Sequence, residues 1–224
     1  NSYQREQGAR IMKHITFYLD FISPYAWLAF DKLPDALQGL SYSVSYKPVL
    51  LGALLKHHGQ LGPAEVPAKR AWTYRHVQWL AQQQGLPLTM PLNHPFSPLP
   101  LLRLGVACQA QGLPNRYVCE TLFRHVWEGG LDANDAQRLH ALNAALQPVH
   151  DVASDVVKAL LKANTDSALA AGVFGVPSYE VDGKLFWGLD ALPMLSAYLR
   201  GDPWFDGGDW DAAAQLPMGM TRLR

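Results

Sequence analysis

Three short stretches of this sequence place polar or backbone groups where an extended, anionic ligand could be held. The first is Phe21-Ile22-Ser23-Pro24, which closes an apolar β-type run. Serine is a preferred N-cap and proline a preferred first helical residue, so a helix is predicted to begin at Ser23. A helix start presents unbonded N–H groups and the positive end of the helix dipole, and there an anion gains about 0.3–2 kcal/mol. The Ser23 hydroxyl either caps that helix or donates to a bound anion such as a thiolate, and from spacing alone the cap weighs more. The second stretch is Gly175-Val176-Pro177-Ser178. Proline has no ladder donor, so at the beginning of a strand it marks an edge, a turn or a cis bond. A cis bond would turn the N–H and C=O of Val176 towards the first helix start; a plain trans proline is the alternative. The third is Gly188-Leu189-Asp190, where Asp190 reads first as the N-cap of a helix and second as a carboxylate for a ligand's ammonium group.

These groups need elements to position them. His14 to Phe21 is rich in β-branched and aromatic residues and too apolar for an exposed strand. A helix from Ser23 to about Leu37 follows, then an alternating strand over Leu40 to Val49. Strand, helix, strand at this spacing implies a right-handed parallel crossover. From Leu50 to about Asn164 the pattern is helical, with predicted helices over Ala68–Gln84, Leu99–Gln111, Asn115–Glu128, Asp135–Leu146 and Ala153–Lys162. A separate short capped helix is predicted over Thr165–Ala171. Asp182-Gly183, between two β-type runs, is a strong hairpin signal. A last helix runs from Asp190 to Gly201, and the glycine-rich tail from Asp202 reads as an extended surface segment.

The order βαβ, helices, then αββα predicts an α/β protein: a thioredoxin fold with an inserted all-helical domain. The thioredoxin-like part spans 13–52 plus 164–201, the helical insertion 53–163, and 1–12 and 202–224 are terminal extensions. In a thioredoxin-type oxidoreductase the attacking cysteine sits where Ser23 stands here, its pKa lowered by the helix end. The chain has no Cys-x-x-Cys, so disulfide exchange lacks its nucleophile unless a thiol arrives from outside.

Composition narrows the function classes. Lys+Arg and Asp+Glu are 19 each, so no basic excess calls for nucleic acid and no charge run for a charged surface. At 49% hydrophobic and 17% charged residues the chain is globular in balance. No apolar run reaches a membrane-spanning length, and the polar Asn1 to Arg10 lacks the apolar centre of a signal peptide, which makes the cytoplasm the expected location. Cys108 and Cys119 are expected as buried free thiols. His57-His58 lack a partner ligand at helical spacing, so no metal is predicted.

Phe17-Tyr-Leu-Asp-Phe-Ile-Ser-Pro-Tyr-Ala-Trp-Leu-Ala, Gly172-Val-Phe-Gly-Val-Pro-Ser and Leu185-Phe-Trp-Gly-Leu-Asp-Ala-Leu together resemble the DsbA-like branch that contains 2-hydroxychromene-2-carboxylate isomerases and kappa-class glutathione transferases. The resemblance runs from about Lys13 to Gly201. It implies glutathione as the cofactor, with Ser23 as the catalytic residue holding its sulfur as thiolate. Val176 before Pro177 would pair with the cysteinyl backbone, and Leu189 and Asp190 would receive the γ-glutamyl end. Gln60 and Lys69 would meet other parts of the tripeptide, although the family usually has Asn at Gln60. Pro95-Phe-Ser-Pro also departs from the family's pattern. Tyr25, Trp27 and Trp127 could line the pocket of an aromatic small-molecule substrate, or could be core.

The activity implied is interconversion of a cyclic hemiketal and a trans-benzylidenepyruvate through a transient thiolate adduct. A kappa-like glutathione transferase or peroxidase is the second reading, and a non-catalytic thioredoxin-like binding protein the third. A homodimer is a family expectation.

Overall fold

The computed structural model describes residues 12–221, so the polar stretch Asn1 to Arg10 lies outside it. Strand β1 (Lys13–Leu19) is one of two inner strands of a four-stranded sheet. It pairs in parallel with β2 (Tyr42–Pro48) and antiparallel with β3 (Ser178–Val181), and β4 (Lys184–Trp187) closes the sheet in the order β2-β1-β3-β4. Both faces of β1 are covered. Ile15, Phe17 and Leu19 enter one apolar cluster and Tyr18 enters another on the opposite side, the period-two alternation a strand imposes.

Helix α1 (Pro24–Ala36) begins as its sequence directs: Ser23 is extended, its Oγ accepts the Ala26 N–H at 3.1 Å, and Pro24 is the first helical residue. Pro34 lies inside its last turns and cannot donate to Phe30. The carbonyl of Phe30 accepts instead from the Arg116 guanidinium at 3.0 Å, which also stands 4.1 Å over the Phe30 ring. The first two turns of α1 are buried almost all round, with Trp27 stacked against Phe30 and Phe123, while Lys32, Pro34 and Asp35 reach the surface.

After β2 come α2 (Leu51–His57), α3 (Pro67–Gln84), α4 (Leu99–Ala107), α5 (Arg116–Trp127), α6 (Ala136–Leu146) and α7 (Asp155–Ala170). The predicted pair of helices Ala153–Lys162 and Thr165–Ala171 is one continuous helix, α7, which crosses the expected boundary at 163/164. The polar residues that look like a break do other work. Thr165 Oγ1 donates back to Leu161 O at 3.0 Å and accepts the Leu50 N–H at 3.1 Å, while Asn164 donates to Gly112 O. A threonine that bonds four residues back sits comfortably inside a helix.

The β3–β4 hairpin turns at Asp182-Gly183, both with positive φ (51° and 76°), as a type I′ turn requires. Asp190 does not cap the last helix. A 3-10 turn over Leu189–Ala191, preceded by Gly188 at φ 99°, comes before α8 (Leu192–Arg200), whose first turn has no side-chain cap. The tail lies on the surface as expected but is not extended throughout. Pro203–Phe205 forms a 3-10 turn and Asp209–Ala213 a short helix, α9; Phe205 is buried and, with Trp210, stands against Phe186. Aromatic spacing in a glycine-rich tail carries no period, which hides this packing from the sequence.

One cluster of buried side chains runs from Ile15, Phe17 and Phe30 through Phe21, Phe123 and Trp127 to Leu102 and Leu142, joining sheet and inserted helices. Cys108 and Cys119 are free and buried, and burial pushes the Cys108 thiol up to about 11. Among the described residues no helix is long and apolar enough to cross a membrane, and no cluster of ligating side chains could hold a metal ion.

Candidate functional site

The segment Asp20–Ser23, between β1 and α1, has its polar groups bonded almost completely. Ser23 N–H donates to Asp20 O at 3.1 Å, and Ile22 N–H donates to Asp20 Oδ1 at 3.2 Å. The carbonyl of Phe21 accepts from the Trp127 indole at 3.0 Å, and that of Ile22 from His94 Nε2 at 2.8 Å. Ser23 O takes the Trp27 N–H. Two residues of the inserted helical region, His94 and Trp127, thus clamp the backbone on which Ser23 rides.

What the clamp leaves free is informative. Ser23 Oγ only accepts a bond, so its proton is available to a ligand, and the Tyr25 N–H at the helix start has no acceptor among the described residues. Ser23 as a residue is 7% exposed.

The Gly175–Ser178 stretch shows the complementary pattern. Val176–Pro177 is cis. The carbonyls of Val173, Phe174, Gly175 and Pro177 accept from His58 Nε2, Gln60 Nε2, Ser178 Oγ and Gly188 N–H at 3.3, 3.5, 2.7 and 2.9 Å. Between them the N–H and C=O of Val176 make no bond to any described residue. Tyr18 faces Ser178 across the antiparallel pair, so continuing that register brings Val176 level with Asp20, just before Ser23. A spare donor and acceptor on one residue, at the end of a sheet, is what an extended peptide backbone pairs with.

Tyr25, in the first turn of α1, packs in one cluster with Leu189, Leu28 and Val77. Its hydroxyl meets His76 Nδ1 at 2.8 Å. Burial raises the Tyr25 pKa above the usual phenol value; a Thr73 hydrogen bond opposes this, and the Asp190 charge adds to it. Asp190 itself is exposed, and its carboxylate folds over Gly188 so closely that a Cβ there would stand 2.6 Å from Oδ1.

Of the residues read from the sequence, Ser23 and Tyr25 stand at one helix start, Tyr25 clusters with Leu189 and feels the Asp190 charge, and Gln60 bonds Phe174 O two residues before Val176. Lys69 lies exposed in the first turn of α3, its side chain without a hydrogen bond or ion pair to any described residue. Trp27 and Trp127 are corrected from possible pocket wall to core. They are 1% and 0% exposed, so neither offers surface to a ligand. Their aromatic neighbours explain why: Trp27 stacks on Phe123, and the Trp127 ring lies against His94.

Asp20 and His94 belong to the site although sequence reasoning passed over them. Asp20 is 0% exposed; besides Ile22 it accepts the Leu51 N–H at 3.0 Å, so one carboxylate ties the α1 loop to the first turn of α2. Burial pushes it up to about 7, against the lowering effect of its two backbone donors. A lone acid in an apolar run was the available signal. His94 receives Tyr74 Oη at 2.6 Å on Nδ1, and its carbonyl accepts from Arg70 at 2.9 Å. No local pattern announces it. Two hollows, about 440 and 550 Å³, lie elsewhere, beside His150 and beside Arg116, and neither touches Ser23.

The DSBA-like thioredoxin domain family matches residues 14–200. The 2-hydroxychromene-2-carboxylate isomerase of Sphingobium xenophagum is 30% identical over 196 residues, covering 84% of this chain and 98% of that protein. Glutathione S-transferase kappa 1 of Rattus norvegicus is 26% identical over 208 residues, covering 85% and 92%. A solved structure of a 2-hydroxychromene-2-carboxylate isomerase superposes with a TM-score of 0.72 at 22% identity, over 86% of this chain and 97% of that one.

Proposed function

The chain belongs to the DsbA-like thioredoxin family, in the branch of 2-hydroxychromene-2-carboxylate isomerases and kappa-class glutathione transferases, and on that premise we propose that it is a glutathione-dependent isomerase. Its substrate class is a small aromatic compound that interconverts between a cyclic hemiketal and a trans-benzylidenepyruvate.

The observation that carries this reading is the pairing of two unspent sets of groups. The Ser23 hydroxyl proton and the Tyr25 N–H suit an anionic sulfur, and the N–H and C=O of Val176 suit a peptide backbone. A tripeptide thiol has both features. Asp190, exposed beside Leu189, suits the ammonium end of such a ligand, and Gln60 and Lys69 suit its other polar ends.

Bound there, glutathione supplies a thiol whose reversible addition to a conjugated double bond makes that bond rotatable. The chain's part is to keep that thiol ionised. Ser23 donates its hydroxyl proton towards the sulfur, and the N-terminal end of α1 adds its dipole. Because the loop is already bonded to Trp127, His94 and Asp20, little reorganisation accompanies ligand binding. Tyr25, half-buried between Leu189 and α3, presents a hydroxyl on the side where an aromatic acceptor would lie.

The test is calorimetric titration with glutathione, with the ultraviolet absorbance of the thiolate followed in the wild type and in Ser23→Ala. Binding with a thiolate signal that fades in Ser23→Ala supports the site. No binding at millimolar glutathione sinks it and leaves a thioredoxin-like binding protein. Conjugation of aromatic halides without isomerase turnover would favour the transferase reading.

A further inference from the structure

The Ile22 carbonyl, like that of Phe21, takes its hydrogen bond from outside the α1–sheet framework. Its partner comes from a distant loop, His94 Nε2, at 2.8 Å. A carbonyl only accepts, so His94 carries its proton on Nε2, and Nδ1 takes the Tyr74 hydroxyl at 2.6 Å. That hydroxyl also lies 2.9 Å from the carbonyl of His94, which Arg70 engages as well. The ring is packed at 5.6 Å from Trp127, whose own N–H holds Phe21 O. Orientation and tautomer of His94 are therefore both determined by neighbours.

We propose that His94 is a positioning residue for the anion site at Ser23: its Nε2–H fixes the Ile22–Ser23 peptide and offsets the negative end of the Ile22 carbonyl beside the place where a thiolate binds. This rests on the proposed function. The physical reason is local. Ile22 C=O and Ser23 N–H are opposite ends of one planar peptide, so holding the oxygen at His94 also aims the N–H at Asp20 O. Released, the peptide could rotate and bring an unpaired carbonyl dipole towards the bound sulfur, which raises the energy of the anion but not of the neutral thiol. The charged and titratable groups around the ring are Arg70 and Tyr74 on α3 and Asp20 behind the Ile22 N–H; α5 contributes the uncharged Trp127 indole.

The experiment compares wild type, His94→Phe and His94→Gln, each with glutathione bound. Phe keeps a ring against Trp127 without a donor, and Gln restores an N–H donor without the ring. The readouts are the pKa of the bound thiol from thiolate absorbance against pH, the calorimetric affinity, and thermal unfolding. His94→Phe is expected to raise the bound thiol's pKa by about one unit, a tenfold loss of thiolate on the rising limb, and His94→Gln to recover most of it. An unchanged thiol pKa in folded His94→Phe overturns the proposal, as do equal values for Phe and Gln, because a purely structural role moves the unfolding temperature and not the thiol. If His94→Phe does not fold, Tyr74→Phe takes its place. It leaves the ring but removes the hydroxyl that holds its Nδ1 edge, and a smaller rise is expected; no rise overturns the proposal. A wild type that binds no glutathione fails at the earlier step, before any variant is compared, and takes this inference down with it.

Discussion

Replacing Asp20 by Asn should change how stability depends on pH in a way that isolates one buried carboxyl. Asp20 is 0% exposed, and burial raises its pKa from 3.8 to about 7. In the unfolded chain the same group ionises near pH 3.9. Between those values the folded state holds a proton that the unfolded state has lost, so stability falls as pH rises, by about 1.4 kcal/mol per pH unit. The contribution is fully present below about pH 4 and gone above about pH 7, and a shift of roughly three units amounts to about 4 kcal/mol. Asn carries no such charge. It retains one acceptor for Ile22 or Leu51 N–H and loses the other, a cost of about 1–3 kcal/mol that does not vary with pH. Urea unfolding of both proteins from pH 4 to 8 gives the quantity to follow, the stability of wild type minus that of Asp20→Asn, in which the other titrating groups cancel. It should fall by about 4 kcal/mol across that range. A difference that stays level within about 1 kcal/mol refutes the reasoning. It would mean that the two backbone donors at 3.0 and 3.2 Å outweigh desolvation and keep Asp20 charged throughout.

Trp127→Phe removes the donor to Phe21 O from a fully buried position and leaves that carbonyl unpaired, so urea unfolding should show a loss of about 1–3 kcal/mol beyond the smaller ring's effect. An unchanged midpoint would mean that water or a shifted side chain replaces the indole. Phe205→Ala, at a residue 7% exposed against Phe186, Tyr198 and Trp210, should cost about 3 kcal/mol by the same measurement and leave glutathione affinity untouched, since its ring neighbours include none of the residues assigned to the glutathione site. A loss of affinity without a loss of stability would contradict that placement.

Much of the architecture follows from local rules that the residues obey wherever they are. Ser23-Pro24 starts a helix because a hydroxyl, a fixed φ and a missing N–H suit that position in any protein. Asp182-Gly183 turns a hairpin because both residues tolerate positive φ. The order of strands and helices then leaves few topologies, and the α1 start, the Val176–Pro177 stretch and Leu189–Asp190 stand out as candidate site residues from their types alone. The continuity of α7 was not, because Thr165 is a helix cap or a helix interior according to whether its hydroxyl has Leu161 O and Leu50 N–H to bond. The roles of Trp27, Trp127, Asp20 and His94 were likewise undecided by type. Trp127 and Ile22's partner His94 lie far along the chain from the loop they hold, and burial is a property of what surrounds a side chain, not of the side chain. Sequence period reports neighbours three or four residues apart. It carries no record of which distant donor meets a carbonyl, and only the folded packing decides that, since an unpaired buried polar group costs enough to select its partner.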